Sequence, residues 1–147
     1  MPKSKICLPD INVWIALASD LHTHHLSAEE WFSSLESRSV AFCRVTQLGF
    51  LRLVSNPRVM GTDSVSQREA WKLYEHMSRD ERVFFASEPA GIEEIWKPIS
   101  LSLLSGINLW TDAYLAAFAQ AHSWILVTFD KDFSRLRASG FPVALLE

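Results

Sequence analysis

Late in the chain runs the stretch Trp124-Ile125-Leu126-Val127-Thr128-Phe129-Asp130-Lys131-Asp132-Phe133. It opens with apolar residues and passes into a polar, turn-forming run, a pattern typical of a short strand buried on both faces of a parallel sheet. In open α/β sheets, reactive groups collect beyond the carboxyl ends of the strands. The acids that follow this strand, Asp130 and Asp132, are therefore candidates for a functional site.

The rest of the chain alternates strand-like and helix-like segments. Apolar runs at 6–9, 40–43, 83–86 and 142–146 predict four further strands, with helical periodicity between them. Strands separated by helices imply right-handed crossovers. We therefore expect a single domain over residues 1–147, an α/β fold built as a three-layer α/β/α sandwich with a central, mainly parallel sheet.

Four predicted helices have boundaries specific enough to test. Ser27-x-x-Glu30 and Ser64-x-x-Gln67 have the spacing of capping boxes and are predicted to begin helices. A further helix is predicted from about Ile92 to Leu104, and another from Thr111 to His122.

Composition narrows the functional classes. With 147 residues, 48% of them hydrophobic, the chain is long enough to bury a core. A net charge of -3 gives no general attraction to nucleic acid, so such contacts must rest on a local basic patch. Cys7 and Cys43 lie in apolar runs and are expected to be buried thiols in a reducing compartment. No segment has the length of a membrane span, so we expect a soluble, cytoplasmic protein without membrane contact.

A third acid, Asp112, stands at the predicted start of the helix before the Trp124 strand. Asp10 directly follows the first strand, so parallel strands can bring Asp10, Asp112 and Asp130 to one edge of the sheet. Each acid alone is also an ordinary cap or turn residue. Clustered carboxylates repel one another and need a cation, and oxygen ligands without nearby His or Cys suit Mg²⁺ or Mn²⁺.

Four blocks of the chain resemble, in order, the PIN-domain ribonucleases, and most of all the VapC-type toxins of bacterial toxin–antitoxin pairs. The blocks are residues 8–17, 46–53, 109–116 and 128–133. The resemblance implies a Mg²⁺-dependent endoribonuclease that forms a homodimer and is inhibited by a VapB-type antitoxin. It places Asp10, Asp112 and Asp130 on the family's metal-binding and catalytic acids, Asn12 and Thr128 on supporting polar positions, and Asp132 on a further acid.

Gln47 departs from the family pattern, because a Glu usually stands where we align it. An amide oxygen can accept a hydrogen bond but supplies no charge. A degenerate binding module with weak nuclease activity, or none, is therefore an alternative. Receiver domains and aspartate-based phosphatases also place acids at strand ends, but such a phosphatase usually carries an acid at the position of Asn12.

The histidines after the first helix and the basic residues near the acids are further candidates for a functional role. A soft-metal site at His22, His24 and His25 is disfavoured because no Cys pair accompanies them, and a solvated loop leading into a helix is preferred. A basic rim around the acids would hold RNA phosphates, although surface solvation explains the same residues equally well. The basic residues concerned are Arg44, Arg52, Lys131 and Arg135.

Overall fold

The computed structural model describes residues 5–102 and 106–147. Its centre is a five-stranded sheet in the order β3-β2-β1-β4-β5, and every neighbouring pair is parallel. The strands are β1 (Cys7–Pro9), β2 (Val40–Phe42), β3 (Val83–Phe85), β4 (Ile125–Thr128) and β5 (Val143–Leu145). All five predicted strands are present, and the predicted α/β fold class is confirmed.

Helices connect the strands and cover both faces of the sheet. In chain order they are α1 (Ile11–Ala18), α2 (His25–Ser33), α3 (Arg44–Val54), α4 (Pro57–Met60), α5 (Gln67–Ser78), α6 (Glu93–Ser102), α7 (Leu109–His122) and α8 (Ser134–Ala138). Successive strand residues point to opposite faces. Leu8 and Leu126 pack with α6, α7 and α8, whereas Cys7 and Val127 pack with α1 on the other face. The result is the three-layer sandwich.

Two predicted helix starts are wrong. Helix α2 begins at His25, and the Ser27 hydroxyl donates to the Glu147 carbonyl at 2.6 Å instead of capping a helix. Helix α5 is capped by Ser66, whose hydroxyl accepts from the Glu69 amide at 3.2 Å, and not by Ser64. At α5 a second serine, Ser66, takes the cap position, whereas α2 starts after His24 without a side-chain cap.

The later helices agree with the prediction more closely. Helix α7 begins two residues before the predicted Thr111, and Asp112 still lies in its first turn. Helix α6 starts close to the predicted Ile92, while its predicted end at Leu104 lies outside the described residues. Since α7 leads back along the sheet into β4, its N-terminal turn lies over the carboxyl edge of the strands.

Helices α1 and α3 approach each other closely beside the first acid. A Cβ atom added at Gly49 would stand 2.2 Å from Cδ1 of Ile11, nearer than nonbonded carbon atoms can lie. Glycine at this position lets the backbone of α3 pack against the residue that follows Asp10. The second half of α3 is thereby brought to the carboxyl edge of the sheet.

Both cysteines are buried and unpaired, as predicted. Among the described residues, no helix combines the length and the apolar character needed to cross a bilayer.

Candidate active site

Asp10 stands at the point where β1 ends and α1 begins. Its carboxylate accepts from the Ile11 amide at 2.7 Å and from the Thr128 hydroxyl at 3.0 Å, and the residue is 7% exposed. Burial raises the pKa of Asp10 to about 6, against the two hydrogen bonds that favour the ionised form, and the charge of Asp130 raises it further. Asp10 therefore caps α1 and is also a buried carboxyl group with a raised pKa.

Thr128 joins the ends of the two central strands. The pairing of Pro9 with Val127 brings Asp10 level with Thr128. Besides donating to Asp10, the Thr128 hydroxyl accepts from the Asp130 amide at 3.0 Å and from the Asn12 side chain at 3.4 Å. The Asn12 carbonyl oxygen in turn accepts from the Phe129 amide at 3.4 Å. Asn12 and Thr128 thus link the end of β1 to the turn that carries Asp130.

Asp130 caps a short 3₁₀ turn that spans Lys131–Phe133, and its carboxylate accepts from the Asp132 amide at 2.9 Å. Its interpretation as a turn residue is therefore correct in part. The hydrogen bonds to its own turn and to Thr128 fix the position of Asp130 beside Asp10.

Asp112 is the acid most affected by the others. Burial raises the pKa of Asp112 to about 7, and the charges of Asp10, Asp130 and Asp132 contribute to the increase. Within the described residues, the Asp112 carboxylate accepts no hydrogen bond that would offset this cost. The four acids predicted from sequence therefore share one electrostatic environment, in which the charges of the other three raise the pKa of Asp112.

A cleft of about 400 Å³ opens over these acids. It brings together Asp10, Asp112 and Asp130 with Asn12, and Arg52 is the cation on its wall. The remaining lining residues come from α1, the loop after α1, α3, α4 and the start of α7, namely Ile11, Ile15, His22, Leu53, Val59, Met60, Asn108 and Thr111. The cleft thus joins a carboxylate cluster to an apolar wall and a few hydrogen-bond donors.

The structure does not bring Gln47 to this cleft. Gln47 is buried on α3, and its amide oxygen accepts from the Arg44 guanidinium. That guanidinium also lies 4.8 Å from the centre of the Phe85 ring, at the end of β3. Arg44 and Gln47 therefore interact with each other beside the end of β3, and neither is among the residues that line the cleft.

The predicted basic residues separate into two groups. Arg52 lines the cleft, whereas Arg44 does not. Lys131 lies in the 3₁₀ turn after Asp130, and Arg135 lies in α8 just beyond it; both are exposed. Lys131 and Arg135 lie close in sequence to Asp130, but neither is among the residues that line the cleft.

The acids fit a divalent cation in charge and donor type. Burial first, and then the charges of the neighbouring acids, raise the pKa values of Asp10 and Asp112, so a bound cation would favour their ionised forms. In the part of the chain that is described, no three carboxylate, thiol or imidazole groups are grouped closely enough to chelate one ion. This suits Mg²⁺, which is held by one or two carboxylates together with water and substrate phosphate.

Sequence reasoning missed His22, Asn108 and Thr111 as cleft residues. Asn108 and Thr111 flank Asp112 in the first turn of α7, so a search of the residues around that acid could have found them. His22 lies on the loop between α1 and α2, where the sequence favours plain solvation. Only the path of that loop across the sheet edge reveals its position.

A larger cavity of about 530 Å³ lies between α2 and α5. Arg82 and Asp80 in its lining pair with each other, since the Arg82 guanidinium donates to the Asp80 carboxylate at 2.8 Å and packs 4.0 Å from the centre of the Phe32 ring. Glu29 and Glu30 also line this cavity, and both are exposed to solvent. The Arg82 guanidinium also keeps the pKa of Asp80 below its usual range. A compensated ion pair does not need a cation, so we assign the functional site to the smaller cleft.

Comparisons with known proteins show which family this chain resembles. The family model described as "PIN domain" matches residues 7–139. The chain is 38% identical over 144 residues to "Ribonuclease VapC41" of Mycobacterium tuberculosis, covering 95% of this chain and 97% of that protein. It is also 35% identical over 133 residues to "Ribonuclease VapC44" of the same organism, covering 90% and 92%.

Solved structures share the fold. The toxin VapC20 of Mycobacterium tuberculosis, described as cleaving the sarcin-ricin loop, superposes with a TM-score of 0.68 at 20% identity, covering 92% of this chain and 95% of that one. VapBC2 from Rickettsia felis, bound to a DNA fragment from its promoter, gives 0.69 at 14% identity, covering 97% and 99%. At such identities the likeness concerns the fold alone.

Proposed function

The chain belongs to the PIN-domain family, and from this premise we propose that it is a Mg²⁺-dependent endoribonuclease, the toxin of a type II toxin–antitoxin pair. The observation that carries the proposal is the convergence of Asp10, Asp112 and Asp130 on one cleft, with two of their pKa values raised toward neutrality. The ribonuclease names of relatives that cover nearly the whole chain support it.

Asp10, Asp112 and Asp130 would provide the carboxylates for Mg²⁺ or Mn²⁺, with one or two of them binding the ion directly and water and substrate phosphate completing its ligands. A bound ion would supply Lewis-acid chemistry, polarising a phosphoryl oxygen and lowering the pKa of a water molecule. Asp10 is oriented for this role by the Ile11 amide and the Thr128 hydroxyl, which hold both of its carboxylate oxygens. Asp112, without such bonds among the described residues, is free to turn toward the ion. No side chain of the protein has to act as a nucleophile.

The raised pKa values imply that protons leave the acids when the ion binds. At neutral pH the pKa of about 7 leaves Asp112 partly protonated, and Asp10 titrates just below that pH. A divalent ion competes with those protons for the carboxylates. Metal binding should therefore weaken as the pH falls from 7 toward 5.

RNA is proposed as the substrate from the family, with support from the charges around the cleft. Arg52 on the wall, and Lys131 and Arg135 beyond Asp130, can contact the phosphates of a strand that crosses the acids. Arg44 is a weaker candidate because its guanidinium is already engaged by Gln47 and Phe85.

A VapB-type antitoxin is the proposed protein partner. An acidic cleft attracts an Arg- or Lys-bearing segment, which would compete with the metal for the carboxylates. Structural neighbours that are themselves toxin–antitoxin complexes support this partner. The purified pair should cleave RNA more slowly than the free chain.

A homodimer is proposed as the assembled form, in the cytoplasm. Support comes from the outer face of α3 and α5, where Leu48 is 60% exposed and Trp71 is 49% exposed on the walls of one shallow groove. Exposed apolar side chains that cluster in this way mark interaction surfaces.

Cleavage mapping of total RNA after brief induction tests the proposal. The unaltered chain should produce new 5′ ends at a few positions, and Asp10→Asn should produce none. Equal patterns from the two chains would exclude the nuclease and favour the binding module.

A further inference from the structure

The loop between α1 and α2 carries His22 and His24 and leads into His25, the first residue of α2. His22 lines the cleft together with Asp10, Asp112 and Asp130, and it is partly buried there. Neither the metal-binding acids nor the basic rim accounts for a histidine at this position.

The loop is held by contacts at its junction with α2, made by His24 and His25. The His24 ring stacks on the Phe129 ring, with centroids 4.4 Å apart and planes 14° from parallel, so the loop packs directly beside Asp130. Nδ1 of His25 lies 2.7 Å from the Ala16 carbonyl oxygen, which ties the loop to the end of α1. His22 is thus presented on a rigid support and does not sample the cleft from a free loop.

A backbone contact determines which nitrogen of His22 carries the proton. The His24 amide donates to Nδ1 of His22 at 3.0 Å, so Nδ1 is an acceptor and the neutral ring bears its hydrogen on Nε2. Burial and the neighbouring His24 and His25 lower the pKa of His22, with no contribution from the carboxylates. The ring therefore presents a neutral N–H donor.

A neutral donor suits the chemistry of this cleft. A phosphodiester that reaches the acids must approach three carboxylates, and it needs donors on the opposite side to hold its oxygens. A second fixed cation would instead pair with the carboxylates and compete with the metal. The ring cannot coordinate an ion through Nδ1, because that lone pair already accepts the His24 amide.

We propose that His22 is a substrate-binding residue, which donates its Nε2–H to a non-bridging phosphate oxygen of the RNA strand and does not bind the metal. The proposal rests on the proposed ribonuclease function. Arg52, on the α3 side of the same cleft, supplies the charged contact to the strand. His24 and His25 are positioning residues that set the orientation of His22.

The test uses the purified full chain with Mg²⁺ and a fluorescent oligonucleotide that spans a site mapped in total RNA. His22→Ala removes the donor, and His22→Gln returns an amide N–H near the former Nε2. His22→Asn reaches only the former Nδ1. His76→Ala, an exposed histidine on α5, is the matched control.

We expect His22→Ala to raise KM about tenfold, the factor for one hydrogen bond to a charged group, while kcat falls less. His22→Gln should recover most of the loss, His22→Asn should not, and the control should match the unaltered chain. The rise in Tm on adding Mn²⁺ without RNA should be the same for all four variants.

Three results would overturn the inference. The first is an unchanged KM in His22→Ala. The second is a loss of the Mn²⁺-induced rise in Tm in the His22 variants, which would make His22 a metal ligand. The third is an equal defect in the Ala, Gln and Asn variants, which would indicate a purely structural role. Failure of the ribonuclease proposal is distinguishable, because the unaltered chain would then not cleave the oligonucleotide.

Discussion

Replacing Asp112 by Asn should stabilise the metal-free protein at alkaline pH. The pKa of about 7 in the fold compares with 3.8 for an unperturbed carboxyl, so the native state binds this proton more tightly than the unfolded state does. The stabilising contribution is therefore complete below about pH 4 and is lost as the pH rises to 7. Above pH 7 the fold must hold an unfavourable charge, which the Asn side chain lacks.

The pKa of about 7 allows an upper bound of about 4 kcal/mol for ionising Asp112 in the fold. Asp112 is only partly buried, and solvent screening reduces that figure to roughly 1–2 kcal/mol. For a domain of this size, such a change corresponds to an increase in Tm of about 3–6 °C. Asp112 is a better choice than Asp10, because Asn at position 10 would disturb the bonds to Ile11 and Thr128.

The assay is thermal unfolding in EDTA between pH 5 and pH 8, with Asp63→Asn, an exposed acid in a 3₁₀ turn, as the control. Asp112→Asn should gain its advantage progressively as the pH rises, and the control should follow the unaltered chain. Adding Mn²⁺ at pH 8 should reverse the order, since the variant has lost a ligand. A variant that is no more stable than the unaltered chain at pH 8 would refute the repulsion between the acids.

Three further predictions concern residues around the acids. Thr128→Val removes the hydroxyl that Asp10, Asp130 and Asn12 share in a fully buried position, so chemical denaturation should show a loss of roughly 2–3 kcal/mol; a loss below half of that would show that these bonds contribute little. Gln47→Glu should pair with Arg44 and leave the Mg²⁺ concentration for half-maximal cleavage unchanged, because Gln47 is not among the residues of the cleft wall; a clear decrease in that concentration would bring this side chain back into the site. Arg52→Ala should reduce the slope of log affinity against log salt by about 0.7 for single-stranded RNA, the value for one lost phosphate contact. Arg79→Ala, an exposed arginine on the far end of α5, should leave that slope unchanged, and equal slopes for Arg52→Ala and the unaltered chain would remove Arg52 from the RNA path.

The elements that could be predicted were those with strong local patterns. The five strands are short apolar runs with polar ends, and Asp10 and Asp130 follow two of them that prove to be neighbours at the centre of the sheet. Placing Asp112 beside them required only that α7 return to the same edge. The order of strands and helices along the sequence was therefore enough to predict that Asp10, Asp112 and Asp130 lie at one edge of the sheet.

What could not be predicted depends on tertiary geometry. Gln47 and Arg52 lie on the same helix, and the close packing of Gly49 against Ile11 orients that helix and brings Arg52, not Gln47, to the cleft. The Thr128 hydroxyl bonds to the side chains of Asp10 and Asn12, which lie 118 and 116 residues earlier in the sequence, so no local pattern predicts these bonds. His22 was discounted as part of a solvated loop, because only the folded path of the loop shows what it faces.

Single-turnover cleavage of RNA by the purified chain, as a function of Mg²⁺ concentration, tests the central claim most directly. If Asp10, Asp112 and Asp130 form one metal-dependent site, each Asn variant should cleave at least about a thousandfold more slowly than the unaltered chain at saturating Mg²⁺. Asp63→Asn should cleave at the unaltered rate, and EDTA should abolish cleavage throughout. Cleavage that persists in EDTA, or that survives in any two of the three variants, would contradict the account.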